Sequence, residues 1–581
     1  MSDNTFPPAG PGGPGQQPNP YRRPEGQGGP SYGQGPHNQP GPYGPPSGGQ
    51  PNQGQQPHGQ PSYGQPSYGQ PSYGQPAYGQ PVYGQPPQGP GFGHGQQFAP
   101  PPKRRGRLVP IIAALAMLMV VGAGGAFAYS RLSGGSAQPA DVLPASAVAY
   151  GRVDLDPGAG QKVAAIRFMM KFPSAREKLK LTGDKDDLRE ELFDLLKDEA
   201  GDDLEGVDYD KDVKPWLGDR AGVAAVPSGD EPTTLVAVQV KDKEKAKAGL
   251  DKLFAHSDDK PGFAFLDLYA VIAEDQAAAD KAVADARTKP LSENEAFDKD
   301  MSKLGEQGFA SAWLDTNGLA DLTGRKLTDQ QRQPIPHGSM AAALRFDAQY
   351  VELKGVVRTD GPMISPGAAK AEEVVTSLPE TTAAALAVSD GSKYVDDIWQ
   401  QLQKSSSGDV DVKGMVDEFA ERYGFTLPDD LKTLLGQNFV VAVDKEKPSD
   451  GLPKAGVKVL TDPAKAEAIV KKVSDVVGKE TGVDVPLVTA KNDDTLVVAT
   501  SKDYADRMLQ GGKLGDTDAF KQAVPDPKGS MMLGYFDFAG LRSLAAEQTD
   551  DKDFQALKSA GYSARVTGTG EAEFTLRVVA N

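Results

Sequence analysis

The sequence predicts an α+β protein, built as two tandem, duplicated extracytoplasmic α+β domains after a disordered tail and one transmembrane helix. Three observations carry that expectation. The first 102 of 581 residues are Pro-rich and nearly uncharged, the 22 residues from Leu108 to Tyr129 carry no charge, and blocks of the remaining chain recur in order.

Residues 1–102 hold 26 of the 48 prolines and only Asp3, Arg22, Arg23 and Glu25 as charged groups. Gly, Pro, Gln and Tyr with few aliphatic side chains cannot bury enough apolar surface to offset ordering entropy, so this tail is expected to be disordered. Five pentads run in tandem from Pro61 to Gln85 and place Tyr63, Tyr68, Tyr73, Tyr78 and Tyr83 at regular intervals. Proline at every fifth residue blocks helix and ladder alike. The composition reads as a spacer, and the regular aromatic groups also allow weak self-association or docking on an aromatic groove.

Residues 103–131 read as a basic flank and a membrane span over 108–129. At 1.5 Å per residue, 22 residues give about 33 Å of helix, enough for the hydrocarbon core. Pro110 falls in the first turn, where a missing N–H does no harm. Lys103, Arg104, Arg105 and Arg107 precede the run and only Arg131 follows closely, which predicts a cytoplasmic N-terminus in the cell membrane. Ala126-Phe127-Ala128 resembles a signal-peptide cleavage site, but a hundred-residue tail is far too long for an n-region. Gly122 with Ala126, and Gly124 with Ala128, have the spacing that lets helices approach closely, a pattern common by chance in Ala/Gly-rich runs.

Beyond Arg131 the chain repeats itself. LPASAVAYGRVD from Leu143 corresponds to LPETTAAALAVSD from Leu378, and VKPWLGDRAGVAAV from Val213 to LKTLLGQNFVVAV from Leu431. VKDKEKAKAGLDKL from Val240 matches LTDPAKAEAIVKKV from Leu460, and WLDTNGLADL from Trp313 matches YFDFAGLRSL from Tyr535. Both copies end in an alternating segment that reads as a β-hairpin. The offset is 218–226 through the central blocks and 235 at the first, because the helical stretch after the first strand is longer in copy one. This predicts repeats over 132–362 and 374–581 with a Gly/Pro linker at 363–373. Expected matched core positions are Leu217/Leu435, Ala246/Ala466, Phe297/Phe520 and Leu319/Leu541. Stripes at i, i+3, i+4 and i+7 predict helices through Val395–Leu402 and Val412–Phe419, and Leu188, Leu192, Leu195 and Leu196 make the corresponding stripe in the first copy. Strand–helix–strand units closed by hairpins suggest helices on one face of a sheet.

The basic KRRGR motif, the single apolar span, ADVLPASAVAY directly after it and the paired LG and DxxAF-type blocks together resemble a family of actinobacterial single-pass membrane-anchored proteins catalogued only as a domain of unknown function. The resemblance covers nearly the whole chain. It implies topology and fold, and no activity.

Composition narrows the chemistry. The 450 residues after Arg131 hold 55 Lys and Arg against 77 Asp and Glu, a net −22, which argues against nucleic acid as a partner. The chain has no cysteine, which excludes disulfides, thiolate metal sites and cysteine nucleophiles. Outside the tail the only histidines are His256 and His337, neither with a ligand-like neighbour at helical spacing. Ser257 and Lys260 fit an SxxK spacing but sit in a polar turn. Asp208, Asp210 and Asp212 copy positions 1, 3 and 5 of a calcium loop, yet Val213 stands where glycine is required and Asp219 where glutamate is. Asp212 and Asp430 both begin the helical blocks after them, a simpler role. Asp315 and Asp537 are the acidic pair kept by the duplication, read mainly as caps and otherwise as carboxylates for acid–base work across a pseudo-dyad. No cofactor is implied. The expectation is a non-enzymatic envelope binding or scaffold protein with an unidentified protein partner, the alternatives being a carboxylate-dependent hydrolase and an envelope sensor.

Overall fold

In this computed structural model the described residues are 138–581, apart from 155–158, 180–182, 184–187, 229–231, 258–259, 319–336, 362–370, 405–411, 447–452, 483–486 and 545–549. The Tyr-rich tail, the basic flank and the span expected over 108–129 lie outside them. Among the described residues no helix is long and apolar enough to cross a membrane.

Runs rich in Val and Ala form the strands. The first repeat contributes β1 (Ala149–Asp154), β2 (Leu217–Val226), β3 (Thr233–Val240), β4 (Gly262–Leu266), β5 (Tyr269–Ala273), β6 (Ala310–Asp315), β7 (Gly338–Phe346) and β8 (Tyr350–Thr359). The second contributes β9 (Thr382–Ser389), β10 (Asn438–Asp444), β11 (Ala455–Leu460), β12 (Val488–Lys491), β13 (Thr495–Ala499), β14 (Met532–Asp537), β15 (Leu557–Gly568) and β16 (Glu571–Ala580). Within the first repeat the spatial order is β4-β5-β3-β2-β1-β6-β7-β8, and within the second it is β12-β13-β11-β10-β9-β14-β15-β16. These are the same order. All the strand pairs are antiparallel.

Two separate sheets would suit two tandem domains, but the strands of both repeats form one sixteen-stranded sheet, joined where β8 pairs with β16. The register at this seam obeys a pseudo-dyad. Glu352 lies opposite Arg577 and Val356 opposite Glu573, and the swap that exchanges these pairs is centred on Lys354 opposite Thr575. Charge covers one face of the seam. Glu352, 6% exposed, bonds Arg577 at 2.5 Å and lies 3.5 Å from Arg345. The hairpin of the second repeat keeps the equivalent pair, Arg565 and Glu573, at 3.7 Å. On the other face Gly355 admits the Phe574 ring, since a Cβ there would lie 2.2 Å from it.

The helices are α1 (Ala159–Met169), α2 (Pro173–Lys178), α3 (Leu188–Ala200), α4 (Lys243–Leu253), α5 (Gln276–Thr288) and α6 (Glu295–Leu304) in repeat one. Repeat two has α7 (Ala371–Thr376), α8 (Gly391–Lys404), α9 (Val412–Tyr423), α10 (Asp429–Leu435), α11 (Pro463–Thr481), α12 (Lys502–Gln510), α13 (Asp518–Ala523), α14 (Phe538–Leu544) and α15 (Lys552–Ala556). The last three residues of the expected linker are therefore already helical. Caps recur with the repeat. Asp242 and Asp462 accept the N–H groups of Lys245 and Lys465, and Asn294 and Thr517 cap α6 and α13.

Helices expected on one face cover both. Tyr269, Val271 and Ala273 of β5 join the core under α5 and α6, whereas Ala270 and Ile272 join another beneath α3 and α4. Residues i and i+1 of a strand point to opposite faces, so both faces of this strand are sealed. Phe297 meets Tyr150 and Trp313 edge-on at 5.3 and 5.5 Å, and Phe520 meets Tyr535 at 5.3 Å. Ala246 and Ala466 are buried as expected, Leu217 and Leu435 are half-buried, and Leu319 lies outside the described residues.

Removing the Glu352 side chain leaves two largely buried guanidinium groups without it. We expect Glu352→Ala to destabilise by about 3–5 kcal/mol and Glu573→Ala, in the looser copy of the pair, by less than about 1 kcal/mol, both read from urea unfolding. The seam should also respond to acid. Hydrogen bonds from Lys303 and then Lys299 hold the Glu571 carboxyl down at about 2. A depressed carboxylate pKa means stability present above the unfolded value near 4.5 and lost as pH falls through it toward 2. Glu571→Gln should therefore flatten the pH dependence of the unfolding midpoint in that window, and an unchanged slope would contradict the assignment.

Candidate binding pocket

The acidic residues singled out in the sequence are satisfied locally. Asp315 ends β6 and accepts the Asn317 N–H at 2.9 Å, and Asp537 ends β14 and accepts the Gly540 N–H at 3.0 Å. Between β6 and β14 stand β7, β8, β16 and β15, so five strand spacings of about 4.8 Å separate the two carboxylates by about 24 Å. The two do not face each other, and acid–base work across the pseudo-dyad has no geometry here.

Asp208, Asp210 and Asp212 each engage a lysine. Asp208 pairs with Lys211 at 3.0 Å, Asp210 with Lys214 at 2.5 Å and Asp212 with Lys252 at 2.5 Å. Hydrogen bonds from Lys211 and Lys252 hold the Asp208 and Asp212 carboxyls below the usual carboxylate range. Asp212 also accepts the Asp208 N–H at 2.8 Å, and Asp430 accepts the Thr426 N–H at 2.9 Å with Lys472 3.9 Å away. Asp212 and Lys252 thus recur as Asp430 and Lys472. Asp212 lies inside the helical turn Tyr209–Val213 and β2 follows it, so only Asp430 begins a helix as expected. Each carboxylate ties its own turn to the helix that carries the lysine, which is a structural role. Among the described residues no group of three His, Cys, Asp or Glu is arranged to hold a metal. His337 meets the Asn317 side chain at 2.7 Å, His256 is exposed, and Lys260 is exposed while Ser257 is buried.

What the structure adds is an apolar pocket of about 340 Å³ in the second repeat. Its floor is the sheet, through Phe439, Val457, Val459, Leu496 and Val498, and its roof is α11, through Ala466, Val470, Val473 and Val477. Leu434 and Leu487 close two sides, and Ser474 is the one polar side chain in the lining. Val473, Val477 and Leu487 are each about 40% exposed, which marks the open side.

In the first repeat the described residues at the equivalent positions are packed into a closed core, and the strand register shows why. Val457 and Val498 stand where Val236 and Ile272 stand, and Ala466 where Ala246 stands. At three positions around them an aromatic ring is replaced: Phe254 by Ser474, Phe263 by Thr489 and Phe265 by Lys491. The three rings pack in series, with centroids 6.2 and 5.8 Å apart. Phe193 of α3 and Tyr209 complete that core. In the second repeat Thr489 and Lys491 bond Glu467 at 2.8 and 2.5 Å, and the Lys491 bond holds the Glu467 carboxyl low.

The open surface continues past the pocket. Val457 lies opposite Val441, which lies opposite Leu386. Val441 is 39% exposed, whereas Val223, its equivalent in the first repeat, is 2% exposed. The first repeat is sealed on this side by the longer helical stretch, where Ile166 and Phe168 of α1 pack with Val153, Leu344 and Phe346. The stripes expected on α8 and α9 do form helix, but Ile398 and Met415 are 64% exposed and Phe419 50%.

The fold and this opening define a duplicated α+β protein that shares one sheet and carries a sheet-borne apolar pocket. The chain belongs to a protein family of unknown function (DUF3352), which matches residues 111–262 and 255–525. No curated protein and no solved structure matches it.

If Asp315 and Asp537 only shape turns, asparagine, which keeps the accepting oxygen, should serve nearly as well. We expect Asp315→Asn and Asp537→Asn to shift stability by less than about 0.5 kcal/mol and the alanine variants to lower it by about 1 kcal/mol, measured by urea unfolding.

Proposed function

We propose that this chain is a non-enzymatic binding protein of the bacterial cell envelope, of the actinobacterial type that its sequence resembles. One helix over 108–129 anchors it, the tail lies inside as spacer or recruiter, and both repeats lie outside. The observation that carries the binding role is the apolar surface left open on one face of repeat two and covered in repeat one. A contiguous exposed apolar surface is a recognition surface unless something covers it. The carboxylates that a hydrolase would need are engaged in turns and lysine pairs.

Two measurements test this reading. A reporter active only outside the cytoplasm should work when fused after Asn581 and stay silent before Met1, and the reverse pattern would contradict the topology. A photoreactive side chain at Leu386, 47% exposed in repeat two, should yield adducts in intact cells. The same group at Leu268, 54% exposed on a turn of repeat one, should yield none. Equal yields at both would contradict the assignment of binding to the open face.

A further inference from the structure

The pocket beneath α11 selects its occupant by what it lacks. With one hydroxyl in its lining, that of Ser474, it cannot satisfy the hydrogen bonds of a polar ligand, which would lose them on entry. Water meets the same difficulty, since a stable buried water needs several polar partners. At about 340 Å³ the space is more than twice the roughly 150 Å³ apolar cavity that takes up benzene. It therefore holds a hydrocarbon considerably longer than six carbons. It is also open on the side of Val473, Val477 and Leu487, so the occupant can extend beyond it and keep a polar end in water.

Among the described residues beside the opening, the charged groups of β12 and α11 nearest the lining are paired with each other. Lys491 and Glu467, on β12 and α11 beside the opening, bond each other at 2.5 Å. Recognition thus rests on the hydrocarbon rather than on a headgroup. An apolar chain attached to a polar end left outside is the chemistry of a lipid acyl chain. The proposed anchorage over 108–129 keeps the chain at a membrane, which is where such lipid is found.

We propose that the pocket of repeat two binds one acyl chain of a membrane lipid. Repeat one is the sealed copy of the same site, with Phe254, Phe263 and Phe265 in the space that Ser474, Thr489 and Lys491 leave open. The inference takes its lipid source from the proposed anchorage, and its pocket chemistry stands apart from that reading.

The test uses the full-length chain in native membranes and a phospholipid with a photoreactive group near the end of one acyl chain. Label should appear on peptides from 463–499 as well as on 108–129. Ser474→Phe, which restores the residue of repeat one, should reduce label on 463–499 at least tenfold with label on 108–129 unchanged. Its thermal midpoint should be equal or higher. On the unaltered chain, free fatty acids of increasing length should compete for the pocket label with about fourfold greater potency per added methylene until the space is full. Label confined to 108–129, or a flat length series, would overturn the pocket inference and leave the anchorage standing. A photoreactive group at Leu487 that captured a second copy of the chain in place of lipid would overturn it too. Pocket label together with reversed topology reporters would support the pocket and overturn the proposed orientation of the chain.

Discussion

The pairing of β8 with β16 is the constraint on which the molecule depends. Each is the last strand of its repeat and would otherwise present an unpaired edge, open to pairing with any other strand. Because the two edges are copies of each other, they pair antiparallel about a pseudo-dyad, as identical surfaces do in a two-fold dimer. The register carries that symmetry down to single residues, from Glu352 opposite Arg577 to Val356 opposite Glu573. Further ties cross the same boundary: Lys303 of α6 reaches Glu571, and the Ser174 N–H of α2 donates to Asp553 of α15. A duplicated chain has in this way become one sheet.

Once the sheet is continuous, its two faces have different histories. On one face each repeat keeps a closed core, with α5 and α6 in the first and α7, α12 and α13 in the second. On the other, repeat one closes two further cores with α1, α3 and α4, while repeat two leaves the pocket and the row from Val441 to Leu386 open. Duplication permits this divergence. One copy can keep the aromatic side chains that seal a core, and the other can lose them while its partner holds the sheet together. Not every change runs the same way: Gly249, against which Trp216 packs, becomes Ile469 where Trp216 becomes Leu434, so that corner stays filled. On the pocket floor Ala221 becomes Phe439 and Ala270 becomes Leu496, which refill only part of the space left by the loss of Phe254, Phe263 and Phe265.

Much of this was legible in the sequence. The stripes at Leu188–Leu196, Val395–Leu402 and Val412–Phe419 are helices, the terminal alternating segments are hairpins, and the recurring blocks are structural repeats. The single sheet was not legible, because nothing local in β8 distinguishes a strand that ends a domain from one that pairs with residues some 220 positions away. Helices on both faces did leave a signal. TTLVAVQV and LYAVIA are nearly continuous apolar runs rather than alternating ones, the pattern of strands buried on both sides. The pocket left one as well, in the aligned positions Phe254 and Ser474, but only strand register shows that Phe263 and Phe265 change with it. Asp315 and Asp537 stand out in an alignment of the repeats for the opposite reason: they share a turn, not a site.

The seam is tested most directly by a crosslink, and a chain without cysteine makes the background clean. Lys354 and Thr575 lie directly opposite each other at the pseudo-dyad, whereas Lys354 and Leu576 point to opposite faces of the sheet. Directly opposed residues of antiparallel strands lie about 4.5–5.5 Å apart between Cα atoms, within the range that a disulfide spans. In the full-length protein under mild oxidation, Lys354→Cys with Thr575→Cys should close an intramolecular disulfide in high yield, and Lys354→Cys with Leu576→Cys should not. A disulfide in the second pair and none in the first, or crosslinks only between separate chains, would contradict the shared sheet.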